Sequence, residues 1–174
     1  MRNHLLALTI AAALPACGAF DELDKVDVPI ESQATIPGDP LAGNVPFENQ
    51  EFPSPPVDFK KKLADQDVSV DDVASLKLVE LTFAATAPQD ATIDFLTSIE
   101  VFVEAEGMQR QKIAEQKGIP DGARTIDLET LDVELKPFAR ANAMQLITVV
   151  SGTPPLANTT VKTTAIFLVD AGLL

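Results

Sequence analysis

The sequence contains no tryptophan and no tyrosine. It has one histidine, His4, and one cysteine, Cys17, so past residue 17 the 174-residue chain has no imidazole, thiol or phenol. This removes Ser-His-Asp and Cys-His catalysis and the His/Cys zinc sites. It also removes the rings on which sugar sites usually stack. Acid–base chemistry is left to carboxylates, lysines and arginines. Cations are scarce: 13 Lys and Arg stand against 26 Asp and Glu, a net charge of −13. Such a surface is repelled by nucleic acid phosphates and anionic head groups, so no nucleic-acid partner is expected. No apolar run reaches the roughly 20 residues of a membrane-spanning helix. There is no glycine-rich phosphate loop, no metal-ligand cluster and no repeat at a fixed period, so no cofactor and no metal site are expected.

The N-terminus is built differently from the rest. Met1 and Arg2 carry positive charge, Leu5 to Leu14 is an apolar run broken only by Thr9, and small residues follow. These are the three parts of a secretory signal. The run closes on Leu14-Pro15-Ala16-Cys17. This stretch resembles the lipobox of bacterial lipoproteins: an aliphatic residue three before the cysteine, a small one directly before it, then the cysteine. Pro15 departs from the commoner small or hydroxylated residue at its position.

The resemblance implies that Cys17 receives a diacylglyceryl thioether and that a signal peptidase cuts between Ala16 and Cys17. Acylation of the new amine, by palmitate for example, would follow in most Gram-negative bacteria. Two or more acyl chains make a stable anchor where one is marginal. The residue after the cysteine is Gly18 and not aspartate, which by the same resemblance leans towards the outer membrane. Arg2 leaves with the leader and no acid does, taking the charge from −13 to −14. The acyl chains, not charge, are then expected to hold the protein to a membrane.

The expected organisation is a signal peptide over residues 1–16, a lipidated N-terminus and tether over 17–25, and one domain over 26–174. Lys25 to Ile36 alternates Val26, Val28 and Ile30 with polar residues and Pro29, which predicts an edge strand. Residues 37–56 hold six prolines and little periodicity and are expected to form an extended surface loop. Val57 to Gln66 suits a short helix capped by Asp58, with Phe59 and Leu63 on one face. Ser69 begins what reads as a capped single helical turn. Leu76 to Ala85 reads as a strand whose alternation changes phase between Leu78 and Val79, the mark of a bulge.

Ser98 to Glu106 has the cleanest period-two pattern, with Ile99, Val101, Val103 and Ala105 on one face, and predicts a central strand. Residues 107–110 turn it into a hairpin partner over Gln111 to Gln116. Thr125 to Leu128 is a short strand. Glu134 to Asn142 suits one or two helical turns, with Leu135 and Phe138 inward. Met144 to Ser151 and Thr159 to Asp170 are the last long strands; in the second, Val161, Thr163, Ala165, Phe167 and Val169 face in. Ile166 and Leu168 occupy the other face, where a cover or a partner is expected.

These segments predict an all-β, antiparallel β-sandwich of about seven or eight strands with one or two short helices. In style, Asp94 to Met108 with Lys112 to Glu115, followed by Leu135 to Phe138, is similar to uncharacterised immunoglobulin-like β-sandwich lipoproteins. That likeness carries no catalytic residues.

Several motifs have a bland reading. Asp65, Asp67, Ser69 and Asp71 alternate like calcium ligands of an EF-hand. Val70 replaces the required glycine and Leu76 the bidentate glutamate. Asp71 with Asp72, and Glu104 with Glu106, are paired carboxylates. The second pair is about 7 Å apart along a strand, a glycosidase-like spacing, but exposed acids at a strand end are ordinary. Lys60 to Lys62 read as a solvated helix face. Asn158-Thr159-Thr160 matches a glycosylation sequon but reads as a turn.

No catalytic residue is assigned. The expected function is a membrane-anchored, non-catalytic envelope lipoprotein, a structural or protein-binding accessory with an envelope protein as partner. The alternatives are a carrier of a small apolar ligand and, less favoured, a carboxylate-based enzyme.

Overall fold

In the computed structural model, which describes residues 25–40, 45–141 and 143–172, the alternating segments pair into two antiparallel sheets. Residues 1–16, Cys17 and nearly all of the tether lie outside the described residues. The elements run β1 (Lys25–Ile36), β2 (Phe47–Pro53), α1 (Phe59–Ala64), β3 (Ser75–Ala87), β4 (Leu96–Ala105), β5 (Gln111–Lys117), β6 (Thr125–Asp127), β7 (Glu129–Thr130), α2 (Lys136–Arg140), β8 (Met144–Gly152) and β9 (Thr159–Asp170). One sheet has the order β1-β9-β3-β6 and the other β2-β8-β4-β5-β7.

The pairing is nested. β1 pairs with β9, β2 with β8, β3 with β6 and β4 with β5, all antiparallel. One long hairpin is thus folded over and rolled up, which is the topology of a jelly roll; β7 adds a short edge beyond β5. This strand order differs from that of an immunoglobulin sandwich, A-B-E-D against C-F-G. A period-two pattern sets which face of a strand is buried but not which strand lies next to it.

The strands bury the predicted faces. In β4 these are Ile99, Val101, Val103 and Ala105, and in β9 they are Val161, Thr163, Ala165, Phe167 and Val169. β4 is third of five in its sheet, and β1 is an edge strand as Pro29 requires. The register of β3 against β9 shifts between Leu78 and Glu80, which confirms a bulge at Val79. The two sides of the bulge bury Leu76 and Leu78, then Leu81, Phe83 and Ala85. Val79 itself is turned outward and is 46% exposed.

The rolled hairpin leaves two kinds of end. At the end where β1 begins, β9 closes beside it (Lys25 faces Asp170) and β3 starts alongside (Ser75 faces Asp170). Helices α1 and α2 seal this end. Asp58 caps α1, its Oδ1 accepting from the Lys61 amide at 3.0 Å, and Phe59 and Leu63 go into the core. Phe59 meets Phe167 edge-on with ring centroids 5.7 Å apart. Leu135 and Phe138 are buried from the α2 side. A Glu134 carboxylate oxygen accepts from the amides of Leu76 (2.9 Å) and Lys136 (2.8 Å), tying α2 to β3. At the other end lie four loops: the described parts of the segment after β1 (37–40 and 45–46), then 88–95, 118–124 and 153–158.

Two local expectations are corrected. The proline-rich segment 37–56 is not a continuous loop, because β2 occupies Phe47–Pro53 and pairs with β8. Its apolar residues mark only the two ends, Phe47 and Phe52, and a register shift between Phe47 and Gln50 breaks the alternation. Past Pro53 the buried Ser54 continues the pairing. Its amide donates to the Leu146 carbonyl at 2.7 Å and its hydroxyl accepts from the Leu146 amide at 3.1 Å. The helical turn expected at Ser69 is a hydrogen-bonded turn, with the Asp71 amide on the Ser69 hydroxyl (3.3 Å) and the Asp72 amide on the Ser69 carbonyl (3.0 Å).

Candidate functional site

The four loops at the end away from Lys25 pack against one another through backbone groups. The Ile93 amide donates to the Ala123 carbonyl at 2.7 Å and the Thr153 amide to the Phe95 carbonyl at 2.9 Å. The Asp39 amide donates to the Pro155 carbonyl at 2.9 Å, and the Gly38 amide to Asn158 Oδ1 at 2.9 Å. The Asn158 sequon thus has a structural use: its side chain pins the loop after β1. Gly38 and Gly152 have no room for a Cβ, which would run into the backbone of Ala157 and Phe95 respectively.

Asp94 joins two of the loops. Thr92 Oγ1 donates to its Oδ1 at 2.6 Å and the Gly122 amide to its Oδ2 at 2.7 Å. The Thr92 hydroxyl and then the Gly122 amide hold the Asp94 carboxyl below its ordinary range, against the opposing effect of partial burial.

Apolar side chains are left in water at this end. Leu156 is 81% exposed and Val45 66% exposed. They are two of the three large exposed apolar residues among those described; Val79 in the β3 bulge is the other. An open groove of about 470 Å³ runs between loops 88–95 and 153–158, lined among others by Pro88, Asp90, Asp94, Phe95, Pro154 and Leu156. By contrast, the space between the sheets at the β1 and β2 edges, near Phe52, Phe83, Thr148 and Thr163, amounts to about 10 Å³, room for a single water.

The residues singled out from the sequence lie elsewhere. Ala16 and Cys17 are outside the described residues. Glu104 and Glu106 are exposed on either side of Ala105 where β4 ends, on a shallow hollow of about 350 Å³ beside Met108 and Gln145. Asp71 and Asp72 are exposed in the turn after Ser69. Lys60 and Lys61 are exposed and Lys62 half-buried on α1, at the opposite end from the groove. Asp67 has positive φ and belongs to the turn leaving α1. Among the described residues, no three His, Cys, Asp or Glu side chains come together as a metal site would require.

Ile166 and Leu168 are half-buried on the outer face of their sheet. The other sheet covers its outer face with its own side chains. Arg110 lies over the Phe102 ring, 4.3 Å from its centroid, and donates to Glu51 at 2.7 Å. Phe102 and Glu51 are on the strands either side of β8, whose outward Ile147 and Val149 are buried. Lys112 bridges Glu100 at 2.9 Å and Glu115 at 2.8 Å on the same sheet.

Asp94 and Leu156 were not singled out from the sequence. The signal for Leu156 was present: it follows Pro154-Pro155, which cannot donate to a ladder and project the next residue from a turn.

No described helix is long and apolar enough to cross a membrane. No protein-family model and no curated protein matches the chain. Among the solved structures to which this chain is similar are two viral ones. A decameric BFDV capsid protein aligns over 83% of this chain and 97% of its own at 15% identity, with a TM-score of 0.42. A structure of Desmodium yellow mottle tymovirus aligns over 99% of this chain and 97% of its own at 14% identity, with a TM-score of 0.34. At these scores the likeness carries no argument.

Proposed function

We propose that the chain is a bacterial lipoprotein of the cell envelope, anchored in the outer membrane by acyl chains on Cys17. Its domain acts without catalysis, as a structural or protein-binding accessory. The observation that carries this reading is the relation between the two ends. Seven residues separate Cys17 from Lys25, and β1 then runs 12 residues before the first loop of the opposite end. At about 3.3 Å per residue that is roughly 40 Å, so a domain tethered at Lys25 presents its four loops away from the lipid. Those loops are stitched by backbone bonds and display Leu156 and Val45, the surface of a binder of macromolecules. The small space between the sheets at the β1 and β2 edges, about 10 Å³, supports a surface-binding role over a carrier of an enclosed apolar ligand. The lack of imidazole and thiol beyond residue 17 supports a non-catalytic role.

Cys17→Ser tests the anchor. The variant should move from the membrane to the soluble fraction, and a variant that stays on membranes after a salt wash would sink the lipoprotein reading.

A further inference from the structure

We infer that the groove between loops 88–95 and 153–158 takes a cationic, apolar peptide segment of a partner protein. This deepens the accessory reading: it rests on it for the direction the groove faces, though not for the binding itself.

The apolar part comes from Leu156, the adjoining Pro154 and Pro155, Pro88 and Phe95. Leu156 is held in water by a loop tied to its neighbours through Pro155, Thr153 and Asn158. Seven of the thirteen prolines (Pro37, Pro40, Pro46, Pro88, Pro120, Pro154 and Pro155) are in these four loops. A surface fixed in this way pays little ordering entropy when a partner covers it.

The charged part has one sign. The ionisable groups lining the groove are Asp90 and Asp94, with no lysine or arginine among the lining residues. Asp94 is tied to Thr92 and Gly122 and to the amides of Asp94 and Phe95, which hold it in its charged form at the groove. With Asp90 it offers negative charge to an incoming ammonium or guanidinium. The sign of the charge disfavours anionic lipid head groups and nucleic acid. No third acid joins the two to hold a divalent cation among the described residues. A volume of about 470 Å³ suits a few side chains of a peptide. Lysine or arginine beside leucine-like residues fits both halves.

The probe is a short fluorescein-labelled peptide of alternating lysine and leucine. The reference is its counterpart of glutamate and leucine. Each is titrated with the full-length acylated protein in non-ionic detergent and read by anisotropy. The lysine peptide should bind saturably, and the glutamate peptide should not. Leu156→Ser should weaken binding about tenfold, the loss of one buried leucine contact. Asp90→Asn and added salt should weaken it further, whereas Val79→Ser on the outer sheet face should not. Equal affinity for the two peptides overturns the proposal. So does affinity unmoved by both Leu156→Ser and Asp90→Asn, or a loss from Val79→Ser as large as that from Leu156→Ser. Circular dichroism of each variant separates lost binding from lost fold. Fractionation of Cys17→Ser reports on the anchor independently, so either idea can fail while the other stands.

Discussion

The two ends of the sandwich are closed by different means. At the end where β1 begins, side chains close the domain: Phe59, Leu63, Leu135 and Phe138 reach under two short helices into the core. At the loop end Ile93 also enters the core, but backbone hydrogen bonds tie the loops to one another and the apolar residues Leu156 and Val45 face out. The first end spends its apolar residues on stability. The second keeps apolar area free while its shape is fixed by amides, carbonyls and prolines. If the loop end binds a partner as proposed, folding and recognition fall to opposite ends of one molecule, and substitutions can separate them.

The largest effect is expected at the helix end. Leu63→Ala should lower unfolding free energy by about 2–5 kcal/mol, from lost burial and the cavity left. Denaturant melts would measure this, and a loss under about 1 kcal/mol would mean that α1 is no part of the core. Next comes the backbone of the loop end. Gly152→Ala forces a Cβ onto the Phe95 carbonyl oxygen, and the required shift should cost about 1–3 kcal/mol. If the variant melts like wild type, loops 88–95 and 153–158 are not held as closely as described.

Asp94 gives a smaller, pH-dependent effect. Asp94→Ala should cost about 1 kcal/mol, since charge-assisted bonds are strong but this carboxylate is exposed. The folded chain holds the Asp94 carboxyl below its ordinary range. Its contribution is therefore complete above about pH 4 and is lost as pH falls through the folded value. Melting temperatures of wild type and Asp94→Asn should converge on acidification. A constant gap across that range would show that the bonds from Thr92 and Gly122 do not depend on the charge.

The smallest effect on folding should come from the residue with the largest effect on binding. Leu156→Ser should change stability by under about 0.5 kcal/mol. A larger loss would place Leu156 in the packing of the loops and blur the division between the ends.

Much of this was legible along single strands. The inward set of β9, the central strand β4, the edge position of β1 and the bulge at Val79 follow from alternation and from Pro29, because a strand's two faces are written directly into its residues. The Asp58 cap of α1 was equally local. β2 was hidden because three prolines, Pro53, Pro55 and Pro56, close a segment whose apolar residues are sparse; it is a strand because β8 supplies its hydrogen bonds. β7 is too short to show any period. The loop end was legible only as turn residues. That Asp94 reaches Gly122, and Asn158 reaches Gly38, depends on strands that bring residues 28 and 120 positions apart to the same end.

The sequence by itself determined the chemistry that is absent beyond residue 17, the lipobox-like stretch at Cys17, the charge, and the inner face of nearly every long strand. Each is a property of residue type or of neighbours two apart. Only the tertiary structure decided that the strands nest as one rolled hairpin, that α1 and α2 seal the end beside Lys25, and that four loops distant in sequence build one rigid surface around Leu156. Those outcomes depend on which backbone pairs with which across the whole chain, and no local pattern of side chains encodes that choice.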